Sequence, residues 1–244
     1  MALTKVIGDG LGSTNDLNVE TAIPNIDIKD TGTAQSSMDF LSNSDTVRAT
    51  IGMERSAGGG LFVGSSAYAA VFGTASSGNT EFATNNNIQM KIDSAGHVTM
   101  PNQSAFNAIL SGHITISTLN AYNTLVFGTE RFDQNGDYNT SDGTFTAPVT
   151  GRYLLTTSLY LFNSLDSAAQ YYYLNLETSN ETVDVYFETS NFLNADTNGY
   201  NMQASVITDL SASDTAKVKM YQAGGSAQTQ IAGGHSHFSG ALIC

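Results

Sequence analysis

The sequence predicts an all-β protein. Three observations carry this: a polar composition with few charges, short apolar runs spaced about ten residues apart by turn residues, and clean apolar–polar alternation toward the C-terminus. Charged residues make up 13% of the 244, about half the usual share, and Ser, Thr, Asn and 23 Gly fill the gap. Such a composition suits turns and wet sheet faces. It does not suit disorder, because 11 Tyr and 12 Phe supply more core material than a disordered chain carries. No stretch holds a 3.6-residue apolar repeat with caps over three turns, so little helix is expected.

Taken in order, residues 1–20 form a polar leader and residues 21–100 a small β-rich stalk or platform domain. Its short runs are Ile23–Ile28, Ser37–Leu41, Val47–Gly52, Leu61–Val63, Ala67–Phe72 and Ile88–Ile92, separated by segments such as Ser56-Ala57-Gly58-Gly59-Gly60. A linker at 101–103, opened by Pro101, leads to a head at 104–244. There Val183, Val185 and Phe187 interleave with Asp184 and Tyr186, and Ala216, Val218 and Met220 with Lys217, Lys219 and Tyr221, as in strands with one wet face. The segment Tyr153–Phe162 differs. One side presents Tyr153, Leu155, Thr157, Leu159 and Leu161; the other presents Arg152, Leu154, Thr156, Ser158, Tyr160 and Phe162. Both sides are substantially apolar. In a sandwich one is covered by the facing sheet, and a partner subunit is the economical cover for the other.

Charge excludes several function classes. Nine basic residues against 22 acidic give a net −13, with a pI near 4.3. Binding to nucleic acid or to anionic membranes works through clustered Lys and Arg, so neither is expected. No window approaches the roughly 20 apolar residues of a membrane-spanning helix, so no membrane insertion is expected. The first residues have neither a long apolar core nor an Ala-x-Ala site, which argues against a secretory signal. Cys244 stands alone at the end, without a disulfide partner or a zinc-type cluster.

Residues Gly128–Gly151 resemble the signature of the complement C1q globular head, Gly-x-Phe-x-Ala-Pro-x-x-Gly-x-Tyr, through Gly143, Phe145, Ala147, Pro148, Gly151 and Tyr153. Ser236–Ile243 is similar to that family's closing strand, and Leu210–Tyr221 to its Leu-x-x-Gly-Asp-x-Val segment, with Ser213 in place of the Gly. Pro148 cannot donate to a ladder and belongs at a strand end. Gly143 and Gly151 bracket a short strand at Thr144–Ala147, and Gly240 inside an apolar strand marks a close approach. The resemblance implies a C1q/TNF-like jelly-roll sandwich assembling as a homotrimer, which agrees with the doubly apolar strand. On it, Tyr153, Leu155, Phe238 and Leu242 are the candidate trimer-interface residues.

The N-terminal part resembles tailed-phage fibre proteins in two places. Met1-Ala-Leu-Thr-Lys-Val is similar to their leader, and Ile88–Met100 to their Ile-Asp-x-x-Gly-x-Val hairpin, turned by Asp93-Ser94-Ala95-Gly96. This implies a virion structural protein of a bacteriophage, made in the host cytoplasm. It would be an exposed appendage (a tail fibre or head fibre) docked on other virion proteins through the leader. Its head would bind a host cell-surface receptor, glycan or protein, during adsorption. Capsid decoration is the alternative, and a secreted C1q-like lectin or ligand a further one.

No catalytic residue is expected: there is no nucleophile elbow, P-loop or zinc-protease motif, and the protein is read as a non-enzyme. No cofactor is expected either. Asp133, Asp137 and Asp142 offer spaced oxygens to calcium but lack an EF-hand's Gly and Glu, so a turn is the simpler reading. His235 and His237 share one side of an expected strand, a spacing a metal can use. Tyr160 and Tyr171-Tyr172-Tyr173 are either core and trimer packing, the simpler reading, or a sugar-stacking surface.

Overall fold

A computed structural model describes residues 36–41, 47–75, 77–162, 165–190 and 192–244. The leader at 1–20 and the run Ile23–Ile28 lie outside them. The described residues form strands, turns and bends, with no helix. Contacts divide the chain into two compact units, one of Met1–Phe82 with Lys91–Val98 and one of Ala83–Met90 with Thr99–Cys244.

In the first unit β1 (Ser36–Leu41), β2 (Val47–Met53) and β3 (Ala70–Thr74) form an antiparallel sheet in that order. Leu61–Val63, expected as a strand, is instead part of the turn between β2 and β3. Its backbone is taken by Glu54, whose carboxylate accepts the N–H of Gly60 at 2.7 Å and of Leu61 at 3.0 Å. Further along, β4 (Thr80–Thr84), β5 (Asn87–Ile92) and β6 (Val98–Thr99) form another three-stranded sheet. The turn after β5 is closed by Asp93, whose Oδ1 accepts the N–H of Ala95 and His97, with Gly96 at φ +89°.

The second unit is a sandwich of two antiparallel sheets. The first, seven-stranded, runs β10 (Thr129–Asp133), β7 (Ala105–Ile109), β19 (His237–Leu242), β13 (Gly151–Phe162), β18 (Gln230–Ile231) and β8 (Ile114–Thr115), with β16 (Tyr200–Leu210) also paired to β13. The other, six-stranded, runs β11 (Tyr138–Asn139), β12 (Thr144–Thr146), β17 (Thr215–Ala223), β14 (Tyr171–Thr178) and β15 (Thr182–Glu188), with β9 (Tyr122–Thr124) on β17. Their inner faces enclose one hydrophobic cluster. Phe106 is its hub, stacked on Phe145 at 4.9 Å and Tyr138 at 5.0 Å and meeting Phe238 edge-on at 5.0 Å.

The signature glycines have separate physical roles. Gly143 sits at φ +75°, and a Cβ there would lie 2.6 Å from the Leu125 carbonyl oxygen. Gly240 has ordinary dihedrals; a Cβ on it would fall 2.7 Å from both Leu155 Cδ2 and Phe106 Cε1. Ser213 adopts φ +75°, which explains why the motif prefers Gly at that place.

Candidate functional site

The long strand β13 decides where a surface for another molecule can lie. Its odd-numbered residues Tyr153, Leu155, Thr157, Leu159 and Leu161 are buried in the sandwich. Its even-numbered residues point outward, and Leu154 and Tyr160 remain partly exposed. Strand register then lines up neighbours on the outward side. One row reads Ala105, Ala241, Leu154, Ile207; the next Asn107, Ser239, Thr156, Ser205; the third Ile109, His237, Ser158, Gln203.

Not one of these positions holds Asp, Glu, Lys or Arg. A sheet face meant for water alternates charged residues outward, whereas this one leaves Ile207 61% exposed and Phe132, opposite Asn107, 54% exposed. Charges stand at its rim, with Arg152 Nε 2.9 Å from Asp209 Oδ1. Three of the hydroxyls on the face pair within the chain: Thr156 Oγ1 with Ser239 Oγ at 3.0 Å, and Ser158 Oγ donating to Asn201 Oδ1 at 3.0 Å. Asn107 Oδ1 is buried without a partner, an acceptor that a donor from outside the chain would satisfy. His237, the one titratable group in the three rows, has its pKa lowered by burial and, secondarily, by Arg131.

The expected interface residues lie on the other side of the sheet. Tyr153, Leu155 and Phe238 are sealed inside one chain, and Leu242 packs against the same cluster. Tyr153 leans on Phe145 at 5.5 Å and donates its hydroxyl to the Val149 carbonyl at 2.7 Å. These four are core residues, so any interface on this sheet uses Leu154, Thr156, Ser239, Ala241 and their neighbours. The signal was in the sequence, since both parities of the strand are apolar; only the pairing with β19 and the facing sheet tells which is inside.

The metal candidates are not brought together. Asp133 Oδ1 accepts the N–H of Gly136 and Asp137, and its Oδ2 the N–H of Tyr138. Asp137 accepts from Ser104 Oγ at 2.6 Å and Asp142 from the Thr144 N–H at 3.0 Å. Asp133 and Asp142 thus serve their own turns, and Asp137 ties its loop to Ser104. His235 lies in a turn against Tyr160, not on the strand that carries His237. Among the described residues no three His, Cys, Asp or Glu side chains form a group that could hold a metal ion. Cys244 is exposed as a free thiol.

The C1q domain model matches residues 105–243, while no curated protein matches the chain. The globular domain of zebrafish complement 1qA protein is similar, at 16% identity and a TM-score of 0.43 over 59% of this chain and 98% of that one. Murine APRIL at pH 8.0 matches at 10% identity and a TM-score of 0.41, over 58% of this chain and all of its own. PRD1 vertex protein P5 matches at 13% identity and 0.43, over 72% and 88% respectively. The family match covers more than half of the chain and contains the Gly143–Tyr153 signature and the closing strand, so the chain belongs to the C1q domain family.

Proposed function

We propose that the chain is a homotrimeric virion protein of a tailed phage, a fibre or knob whose C1q head binds a host cell-surface receptor during adsorption. One observation carries the assembly part: the three central rows on the outward face of the seven-stranded sheet hold no Asp, Glu, Lys or Arg, are partly apolar and include a buried acceptor at Asn107 that lacks a partner. C1q and TNF family domains commonly form homotrimers, and this face has the character of a surface buried between copies. The virion part rests on the leader-like first residues and the Ile88–Met100 motif. In this reading the protein builds and binds; it catalyses no reaction. It sits exposed on the particle, and the net charge of −13 keeps assembled copies apart in solution.

Light scattering on the purified full chain tests the assembly. The expected mass is three times the 25.8 kDa chain, stable to mild heating. Leu154→Asp should yield monomers, because an unpaired charge buried between copies costs several kcal/mol. The monomer itself should lose no more than about 1 kcal/mol of stability, as at other partly exposed sites. A wild-type monomer would overturn the assembly reading. Labelled antibody against the head, imaged on particles, tests the location, and the copy number per particle separates fibre from capsid decoration.

A further inference from the structure

The opposite side of the sandwich carries a feature that the proposed assembly does not use. On the outward face of the six-stranded sheet, register places Tyr122 beside Tyr221, Tyr221 beside Tyr173, and Tyr173 beside Tyr186. Four neighbouring strands thus contribute four tyrosines to one row. Tyr171, two residues before Tyr173, joins it, 5.4 Å from Tyr186 and stacked on Tyr221 at 6.0 Å. Along the row the ring centroids are 5.2 Å apart for Tyr122 and Tyr221, 6.2 Å for Tyr221 and Tyr173, and 5.2 Å for Tyr173 and Tyr186. The ends are open, with Tyr122 49% and Tyr186 50% exposed. The adjoining row reads Thr124, Lys219, Asn175, Asp184, so hydrogen-bonding side chains run alongside the rings.

Cross-strand aromatic pairs stabilise sheets on their own account. That accounts for any one pair. It does not account for a wet face paved by one residue type, with no Leu, Ile, Val, Met or Phe in the row, when an exposed aromatic patch of this kind marks a contact site. We infer that this tyrosine row binds a neutral carbohydrate chain.

The chemistry selects that occupant over others. A pyranose presents apolar C–H faces ringed by hydroxyls, and tyrosine presents an apolar ring with a hydroxyl at its tip. Burial of the rings raises the phenol pKa of Tyr122, Tyr186 and Tyr221, with Asp184, Glu188 and Tyr171 respectively adding to it, so all three stay neutral donors at working pH. Anionic polymers are opposed: Asp184 and Glu188 flank the row, and Lys219, the nearest cation across the strands, is held by Glu177 at 2.6 Å. A protein-binding surface sets its tyrosines beside Trp, Met or Arg anchors, and neither this row nor the one alongside it has any of these. The inference goes beyond the virion reading, which leaves the receptor-binding face unassigned. In a trimer three such rows would act together through avidity.

Native gels of the full chain cast with dextran, laminarin, galactomannan or alginate provide the test. Retardation by at least one of the three neutral polymers, and none by alginate, is expected. Tyr122→Ala combined with Tyr186→Ala should weaken that retardation about tenfold or more, with mass unchanged and the melting temperature lowered only by the loss of the cross-strand ring pairs. If the double variant fails to fold, Tyr186→Phe and Tyr122→Phe, which keep the rings and remove the hydroxyls, should each still weaken it by about threefold. Equal retardation of the variants, retardation by alginate alone, or none by any polymer would overturn the inference. A trimer that decorates particles but ignores all three neutral polymers removes this inference alone. Binding through the row by a chain absent from particles removes the virion reading alone.

Discussion

Within the sandwich, Phe106, Phe127, Phe145, Tyr153, Tyr172 and Phe238 are all sealed from water, whereas in the first unit no described hydrophobic side chain is fully buried. What that unit buries instead is Thr50 and the carboxylate of Glu54. Its sheet lines up Met38, Ile51 and Phe72 across β1, β2 and β3, and all three remain exposed. A three-stranded sheet draws its stability from a covered hydrophobic face, and this described row stays open to water. Among the described residues the two units therefore depend on different physics: one on side-chain packing, the other on hydrogen bonds to a single buried charge. A change that damages one should leave the other nearly untouched.

The sharpest way to break that contrast is Phe238→Ala. The ring touches Phe106, Phe127 and Tyr138, and a truncation in so closed a core costs about 3–5 kcal/mol. Denaturant unfolding followed by tyrosine fluorescence should show that loss, while the Glu54 loop keeps its protection from exchange. A cost under about 1 kcal/mol would mean that the core repacks freely and packing is not what holds the sandwich.

Gly240→Ala probes the same core by adding volume. The new methyl would have to displace Leu155 and Phe106, both pinned between the sheets, at roughly 1–3 kcal/mol. Melting of the full chain reads this directly. A neutral result would make the glycine a matter of family resemblance and not of space.

The comparison also explains what could be read from the amino acids. Alternation within a strand is local, so the all-β class, the wet faces of Val183–Phe187 and Ala216–Tyr221 and the short strand after Gly143 were legible. Pairing between strands is not local. Tyr122, Tyr173, Tyr186 and Tyr221 become a row only through register between distant segments, although alternation already put Tyr186 and Tyr221 on wet faces. The same limit hid which side of Tyr153–Phe162 is the core. For Asp133, Asp137 and Asp142, oxygens close in sequence suggested a cation, but in the fold each accepts from an N–H or O–H of the chain. Leu61–Val63 reads as an apolar strand until the buried Glu54 claims its backbone.

Glu54 gives the smallest and most local prediction, and it isolates the first unit. Its carboxylate accepts the N–H of Arg55, Gly60 and Leu61 and the hydroxyl of Ser65, the last at 2.5 Å. The Ser65 hydroxyl is the chief cause, with the three backbone donors behind it and burial opposing them, and the pKa falls from 4.5 to about 2. The folded state thus favours the charged form more than the unfolded chain does. The stabilisation from this site is complete above the unfolded value of 4.5 and is lost as pH falls through about 2. Carbon-13 NMR of the Glu54 carboxyl should show a titration near 2, and the Gly60 and Leu61 amide signals should shift with it. Glu54→Gln keeps the shape but removes the charge, so the loop should become open to protease at neutral pH while the sandwich melts unchanged. A midpoint near 4.5 would mean that the loop is held by something other than this carboxylate, and the contrast between the two units would collapse on its weaker side.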